Sequence, residues 1–140
     1  MYEVTTCRGE MTAPLPPAEA LVLFTPEAEV KWMGGYEPRF VSDRRDGEGV
    51  VYFNHDQVYV MAWRDETRVR YVRVVPEEYA ALIDVEALAT SDESTAVKIW
   101  MEVTPIGEKG VEFASSLSAD WDETVARWQG YLDHYLASSG

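Results

Sequence analysis

Five large apolar residues near the end of the chain, Trp121, Val125, Trp128, Leu132 and Tyr135, fall at i, i+4, i+7, i+11 and i+14. That spacing puts all five on one face of a 3.6-residue helix, predicted over residues 118–136. Asp122, Glu123, Arg127, Gln129, Asp133 and His134 take the other side. So strong a stripe requires a large apolar partner. The strand-rich middle of the chain supplies it, so the helix is expected to lie across a curved antiparallel sheet, with a pocket between the two. Ser118 is the expected cap, with Asp120 and Glu123 as an alternative capping box. Gly130 is a weak point inside the helix.

Upstream, residues 2–11 read as a first strand, broken by Pro14, Pro16 and Pro17. Pro17 opens a short helix over 18–24. Thr25-Pro26 starts a second, with Thr as cap, Pro in the first turn and acids near the positive end of the dipole. Gly34-Gly35 is the expected stop, because glycine tolerates the left-handed conformation. Residues 39–42, 50–54, 58–63, 68–75, 79–88 and 95–104 are then predicted strands, rich in β-branched and aromatic side chains. The last alternates best. Val97, Ile99, Met101 and Val103 point one way, and Lys98, Trp100, Glu102 and Thr104 the other. Ile83, Val85 and Ala87 alternate likewise with Asp84 and Glu86. Residues 107–117 read as a connector with a helical turn around 111–115. Short turns between consecutive strands imply an antiparallel meander. Strands with segregated helices make an α+β fold, expected as a single domain over residues 1–140.

Charge narrows the partners. Twelve Lys and Arg stand against 25 Asp and Glu, a formal net charge of −13. Nucleic-acid binding draws on clustered positive charge, and the bases here do not cluster apart from 64–73. Nucleic acid and anionic membrane surfaces are therefore not expected partners, and no apolar run is long enough to span a membrane. The first residues carry no basic-then-apolar pattern, so no signal peptide is expected. Cys7 stands alone and fits a reducing, cytoplasmic setting.

The element order, β-α-α-β6-α, resembles the START-like (SRPBCC) superfamily with its helix-grip fold, including its polyketide cyclase/dehydrase and heat-shock-chaperone-activator branch. Pro26-Glu27-Ala28-Glu29-Val30-Lys31-Trp32 is similar to that family's Pro-x-x-Glu-x-x-Trp segment. Gly49-Val50-Val51-Tyr52 resembles its glycine-led third strand, and Tyr71-Val72-Arg73-Val74-Val75-Pro76 its fifth. Gly110 and the closing helix with Trp128 and Leu136 match its end. These motifs are structural and none is catalytic, so the resemblance implies a cavity more than an activity.

The pocket candidates that follow are Trp32, Tyr52, Tyr71, Arg73, Ile83, Val85, Ile99, Met101, Trp121, Val125 and Trp128. Trp121, Val125 and Trp128 line a cavity or fill a core, two readings of equal weight. Met101 suits either, because methionine fills irregular space. Tyr71 and Arg73 share a strand face with Val69 and Val75. An inward Arg73 needs a carboxylate or an acidic ligand head group. The favoured expectation is the wet side, with Arg73 paired to Asp84 or Glu86. Glu29 is expected on a helix surface and Trp32 in the core, with a pocket mouth as the alternative for both. Cys7 is expected as a small buried hydrophobe, His55 in an exposed loop, and His134 on the helix surface. Trp100, facing outward, is a candidate homodimer contact.

No His-x-x-x-His, Cys-x-x-Cys, glycine-rich phosphate loop or Gly-x-Ser-x-Gly elbow occurs, so no metal, cofactor or nucleophilic site is expected. The leading functional expectation is binding of a small, largely apolar ligand such as a lipid or polyketide between sheet and helix. One alternative is an aromatase/cyclase-like enzyme, drawing on His55, Tyr71, Arg73 or Glu86. Another is a protein-interaction domain of the chaperone-activator type.

Overall fold

A computed structural model describes residues 2–139. In chain order the elements are β1 (Thr5–Ala13), α1 (Pro17–Val22), α2 (Pro26–Glu29), β2 (Pro38–Phe40), β3 (Val51–Asn54), β4 (Gln57–Arg64), β5 (Arg68–Val75), β6 (Tyr79–Ser91), β7 (Ser94–Pro105) and α3 (Glu108–Ser139). The strands form one antiparallel sheet in the order β1-β7-β6-β5-β4-β3-β2. The meander from β2 to β7 is thus completed by β1, which returns to the far edge beside β7. Register shifts at Met61/Trp63 and Ala89/Ser91 break the ladders. Bulges of this kind increase local twist and bend a sheet.

Alternation is kept where the sequence shows it. Val97, Ile99, Met101 and Val103 are buried, while Lys98 and Trp100 are exposed. The register continues this face across the sheet: Cys7 pairs with Met101, Met101 with Ile83, Ile83 with Tyr71, and Tyr71 with Met61. The neighbouring row runs from Val103 through Ala81 and Arg73 to Tyr59 and Tyr52. Cys7 is buried, as expected of a small hydrophobe, and burial raises its thiol pKa.

The Thr25 hydroxyl caps α2 by accepting from the Ala28 amide, with Pro26 in the first turn. This helix ends at Glu29 rather than running on to Gly34, and turns carry the chain from there. The closing helix is longer than expected, with 32 residues. At a rise of 1.5 Å per residue it extends about 48 Å. It starts at Glu108, so residues 108–117 are helix rather than connector, and neither Ser118 nor Asp120 caps anything. The apolar stripe itself continues backwards through Leu117, Ala114 and Gly110. Gly110 and the Ser115-Ser116 pair disguise it.

The helix rests on β1 and β7. Gly9 makes this approach possible, since a Cβ there would stand 2.9 Å from Val125 and 3.2 Å from the Trp121 indole nitrogen. Gln129 reads as a solvent-side residue, yet its side-chain amide pairs with the edge strand. It accepts from the Thr12 amide at 2.8 Å and donates to the Thr12 carbonyl at 3.0 Å. A side chain thereby satisfies backbone groups that an edge strand leaves open.

Candidate functional site

The sheet's inner face is not filled along its whole width. Over β1, Trp121 and Val125 pack down onto Gly9, and the Trp121 indole donates to the Arg8 carbonyl at 2.8 Å. Over β3 to β5 a cavity of about 130 Å³ remains, which Trp128 of α3 borders. Its walls come from four parts of the chain. Ile83, Val85, Ile99 and Met101 of β6 and β7 form an apolar floor. Tyr52, Tyr59, Tyr71 and Arg73 of β3 to β5 form a polar-tipped wall. Phe24, Glu29, Met33 and Tyr36 come from the α1–α2 segment, and Trp128 closes the space from α3.

Of the eleven candidates, Tyr52, Tyr71, Arg73, Ile83, Val85, Ile99, Met101 and Trp128 border this cavity, and Trp32, Trp121 and Val125 do not. Trp121 and Val125 are filled core because Gly9 lets the helix sit too close for any space beneath them. The Trp32 indole donates to the Leu23 carbonyl at 2.7 Å and packs edge-on against Phe24, which props the α1–α2 segment over the sheet.

The tyrosines form a connected group. Tyr52 and Tyr59 stack with centroids 4.8 Å apart, and Tyr71 meets Tyr52 edge-on at 6.4 Å. Such pairs contribute about 0.5–1.5 kcal/mol each beyond burial. Tyr36 donates to the Tyr52 hydroxyl at 2.9 Å, and Tyr71 donates to the Phe24 carbonyl at 2.8 Å. Burial pushes the hydroxyl pKa values of Tyr36, Tyr52 and Tyr71 upward, and the nearby Glu29 carboxyl adds to this. All three are therefore neutral hydrogen-bonding groups.

Arg73 is on the inner face, which overturns its expected place on the wet side beside Asp84 or Glu86. Strand register is the reason: Arg73 stands opposite Tyr59 and Ala81, both buried. The outward residue that meets Asp84 is Arg70, with two hydrogen bonds of 2.6 and 2.8 Å. Glu86 pairs with Arg68 at 3.6 Å on the same outer face. That face carries a broad open groove with Arg8, Lys98 and Trp100, where bases and acids alternate across the strands as a solvated surface does. The Arg8 guanidinium lies 4.9 Å over the Trp100 ring, which is 42% exposed.

Glu29 is likewise not a surface acid. It is half-buried and borders the cavity. Burial raises its pKa well above the ordinary glutamate value. A raised folded-state value means that the neutral acid is favoured in the fold. Stability from this preference is complete below the unfolded glutamate pKa and is lost as pH climbs toward the folded value. Glu29→Gln, which resembles the neutral acid, is therefore expected to match the parent near pH 4 and to be the more stable of the two at pH 7.5. Urea unfolding at both values checks this, and equal midpoints at pH 7.5 would contradict it.

Sequence reasoning missed Phe24, Met33, Tyr36 and Tyr59 as wall residues. Glu29, Trp32, Met33 and Tyr36 fall at i, i+3, i+4 and i+7, a spacing that marks one helical side. Tyr59 carries no such signal, because Val58 to Trp63 is apolar throughout. His55 lies outside the cavity, in the β3–β4 turn at φ 56°, with its Nε2 2.9 Å from the Gly35 carbonyl oxygen. His134 is exposed on α3. Among the described residues, no three His, Cys, Asp or Glu side chains converge as a metal site would require. Nor is any helix of that region long and apolar enough to cross a membrane.

A curved antiparallel sheet gripped by a long C-terminal helix, with two short helices after the first strand, is the helix-grip fold of START-like (SRPBCC) proteins. Solved structures share it, two of those named here over nearly the whole chain. Ara h 8.0201 is 18% identical with a TM-score of 0.68, covering 97% of this chain and 99% of its own. Norcoclaurine synthase from Thalictrum flavum is 10% identical with a TM-score of 0.69, covering 99% of this chain and 89% of its own. An HSP90 activator from Plasmodium falciparum is 10% identical with a TM-score of 0.57, covering 69% and 71%. No family model and no curated protein matches the chain.

Proposed function

We propose that the protein binds a small, largely apolar molecule in the cavity between the sheet and the segments that cover it. The observation that carries this reading is the space itself: an apolar floor, a tyrosine wall, and a few polar groups from β3 to β5 and from the covering segment. Natural ligand sites have this composition, with few polar groups setting orientation. Size restricts the occupant. Drug-sized pockets run to roughly 300–1,000 Å³, and a cavity near 150 Å³ takes benzene. At about 130 Å³ this one suits a single ring. A lipid or polyketide chain needs more room than that. Norcoclaurine synthase, which shares the fold, is known in complex with dopamine and hydroxybenzaldehyde, each a one-ring compound.

Calorimetric titration with toluene tests the reading. Saturable binding is expected, together with none by a long-chain fatty acid. Ile83→Phe, which places a ring in the same space, is expected to weaken toluene binding at least about tenfold while changing stability by about 1 kcal/mol or less. Toluene binding unaffected by this substitution would place the ligand elsewhere.

One observation favours an aromatase/cyclase-like enzyme as a second reading. Burial shifts Glu29, at the cavity beside the tyrosines, toward the neutral acid form that a proton donor requires. Of the residues considered for catalysis from sequence, Tyr71 and Arg73 border the space, and His55 and Glu86 do not. Turnover of an enolisable substrate that survives both Glu29→Gln and Tyr71→Phe would end this reading.

A further inference from the structure

Among the residues lining the cavity, Arg73 carries the only full positive charge. Its surroundings are aromatic. The guanidinium carbon stands 5.8 Å from the Tyr59 ring centroid, 5.4 Å from Tyr79 and 5.5 Å from Phe113. Tyr79 and Phe113 stack face to face at 4.2 Å, so this enclosure is rigid on one side. Acids outnumber bases by 25 to 12 in the chain. Yet among the described residues none forms an ion pair with Arg73. Glu29 borders the same cavity and is not its partner, and burial favours the neutral form of that acid.

The donors of Arg73 are mostly unused. Nη1 donates to the Tyr59 hydroxyl at 3.2 Å. Nε is shut off from water without a partner, and so is the hydroxyl of Tyr79. The Tyr79 hydroxyl lies close enough to interact weakly with the guanidinium, yet neither it nor Nε reaches a partner in good hydrogen-bond geometry. The Nε–Nη2 edge, the fork with which arginine takes a carboxylate through two parallel bonds, therefore has no protein acceptor in good geometry. Faces of aromatic rings offset part of the cost of burying a cation. They leave its hydrogen bonds unmade, and an incoming anion makes them.

We propose that Arg73 anchors the carboxylate of a small aromatic acid whose ring fills the cavity. This deepens the ligand-binding reading above and rests on it. The ring lies over Ile83, Ile99 and Met101, and its carboxylate meets Nη2 first, since Nε is sealed. A slight turn of the arginine stem then completes the fork. Recognition is local, because the net charge of −13 repels anions at long range. Added salt screens that repulsion and is expected to speed association.

Benzoate, its neutral isostere benzamide, and toluene are the probes, each titrated calorimetrically into the full chain. Benzoate is expected to bind at least about tenfold tighter than benzamide, the usual scale for a charge-assisted bond. In Arg73→Gln that preference is expected to vanish. Toluene binding with no preference for benzoate overturns the role of Arg73 and leaves the cavity reading intact. A preference that survives in Arg73→Gln overturns it as well. Failure of all three probes to bind overturns both readings. The benzoate–benzamide comparison uses the unaltered chain, so a poorly folded variant does not obscure the answer.

Discussion

Alanine at position 110 is expected to destabilise the protein by roughly 3 kcal/mol or more, the upper range for overpacking. The cause is backbone against backbone. A Cβ on residue 110 would collide with the Glu78 carbonyl oxygen, lie 2.8 Å from its carbon, and reach the Pro105 Cα at 3.2 Å. That carbonyl cannot retreat freely. It accepts from the Ile106 amide at 2.8 Å and from the Gly107 amide at 3.2 Å, which fixes where α3 begins relative to the β5–β6 turn. The turn is itself constrained, with Glu77 at φ 68°. Moving the helix start away from it lifts Phe113 off Tyr79. Gly130→Ala is the matching control, because nothing lies within 4 Å of a Cβ there. That substitution is expected to stabilise by about 0.5–1 kcal/mol through helix propensity alone. Urea unfolding of the two variants separates a close-packing glycine from an incidental one in the same helix. Equal midpoints would refute the distinction.

Truncation of Trp121 to alanine is expected to cost about 3–5 kcal/mol, the range for removing a large buried aromatic. Three contacts go together. The indole is buried, it donates to the Arg8 carbonyl at 2.8 Å, and it meets Trp128 edge-on at 5.8 Å. The space it vacates lies over Gly9, which has no side chain to move into it. Trp128 closes the cavity and leans on Trp121, so binding of a single-ring probe is expected to weaken in the same variant. Thermal and urea unfolding check the first effect, and calorimetry with toluene the second. A loss of stability below about 1 kcal/mol would mean that the helix is held elsewhere.

These effects separate two roles that the sequence does not distinguish. Trp121, Val125 and Trp128 share one helical stripe, and spacing alone makes them equivalent. The structure assigns the first two to close packing over Gly9 and the third to the cavity. Arg73 shows the same limit. Its alternation with Val69, Tyr71 and Val75 points inward, whereas the general rarity of buried charge points outward. Register against Tyr59 and Ala81 decides for the inner face. Glu29 was legible as part of a Pro-x-x-Glu-x-x-Trp segment, but its enclosure depends on strands more than twenty residues away in the chain.

What the sequence determined by itself are the properties set by near neighbours along the chain. Period-two alternation marked the face of β7, proline and threonine marked the starts of the short helices, and the 3.6-residue stripe marked α3. Each follows from how one segment divides its own side chains between water and an interior. The β-α-α-β6-α order was legible for the same reason, as was the helix-grip fold through its resemblance. Only the tertiary structure decided the pairing of β1 with β7, the backward extension of α3 through Gly110 and two serines, and the turning of Arg73 and Glu29 toward a shared space. Those depend on which distant residues lie opposite one another, and a one-residue shift in register reverses every face.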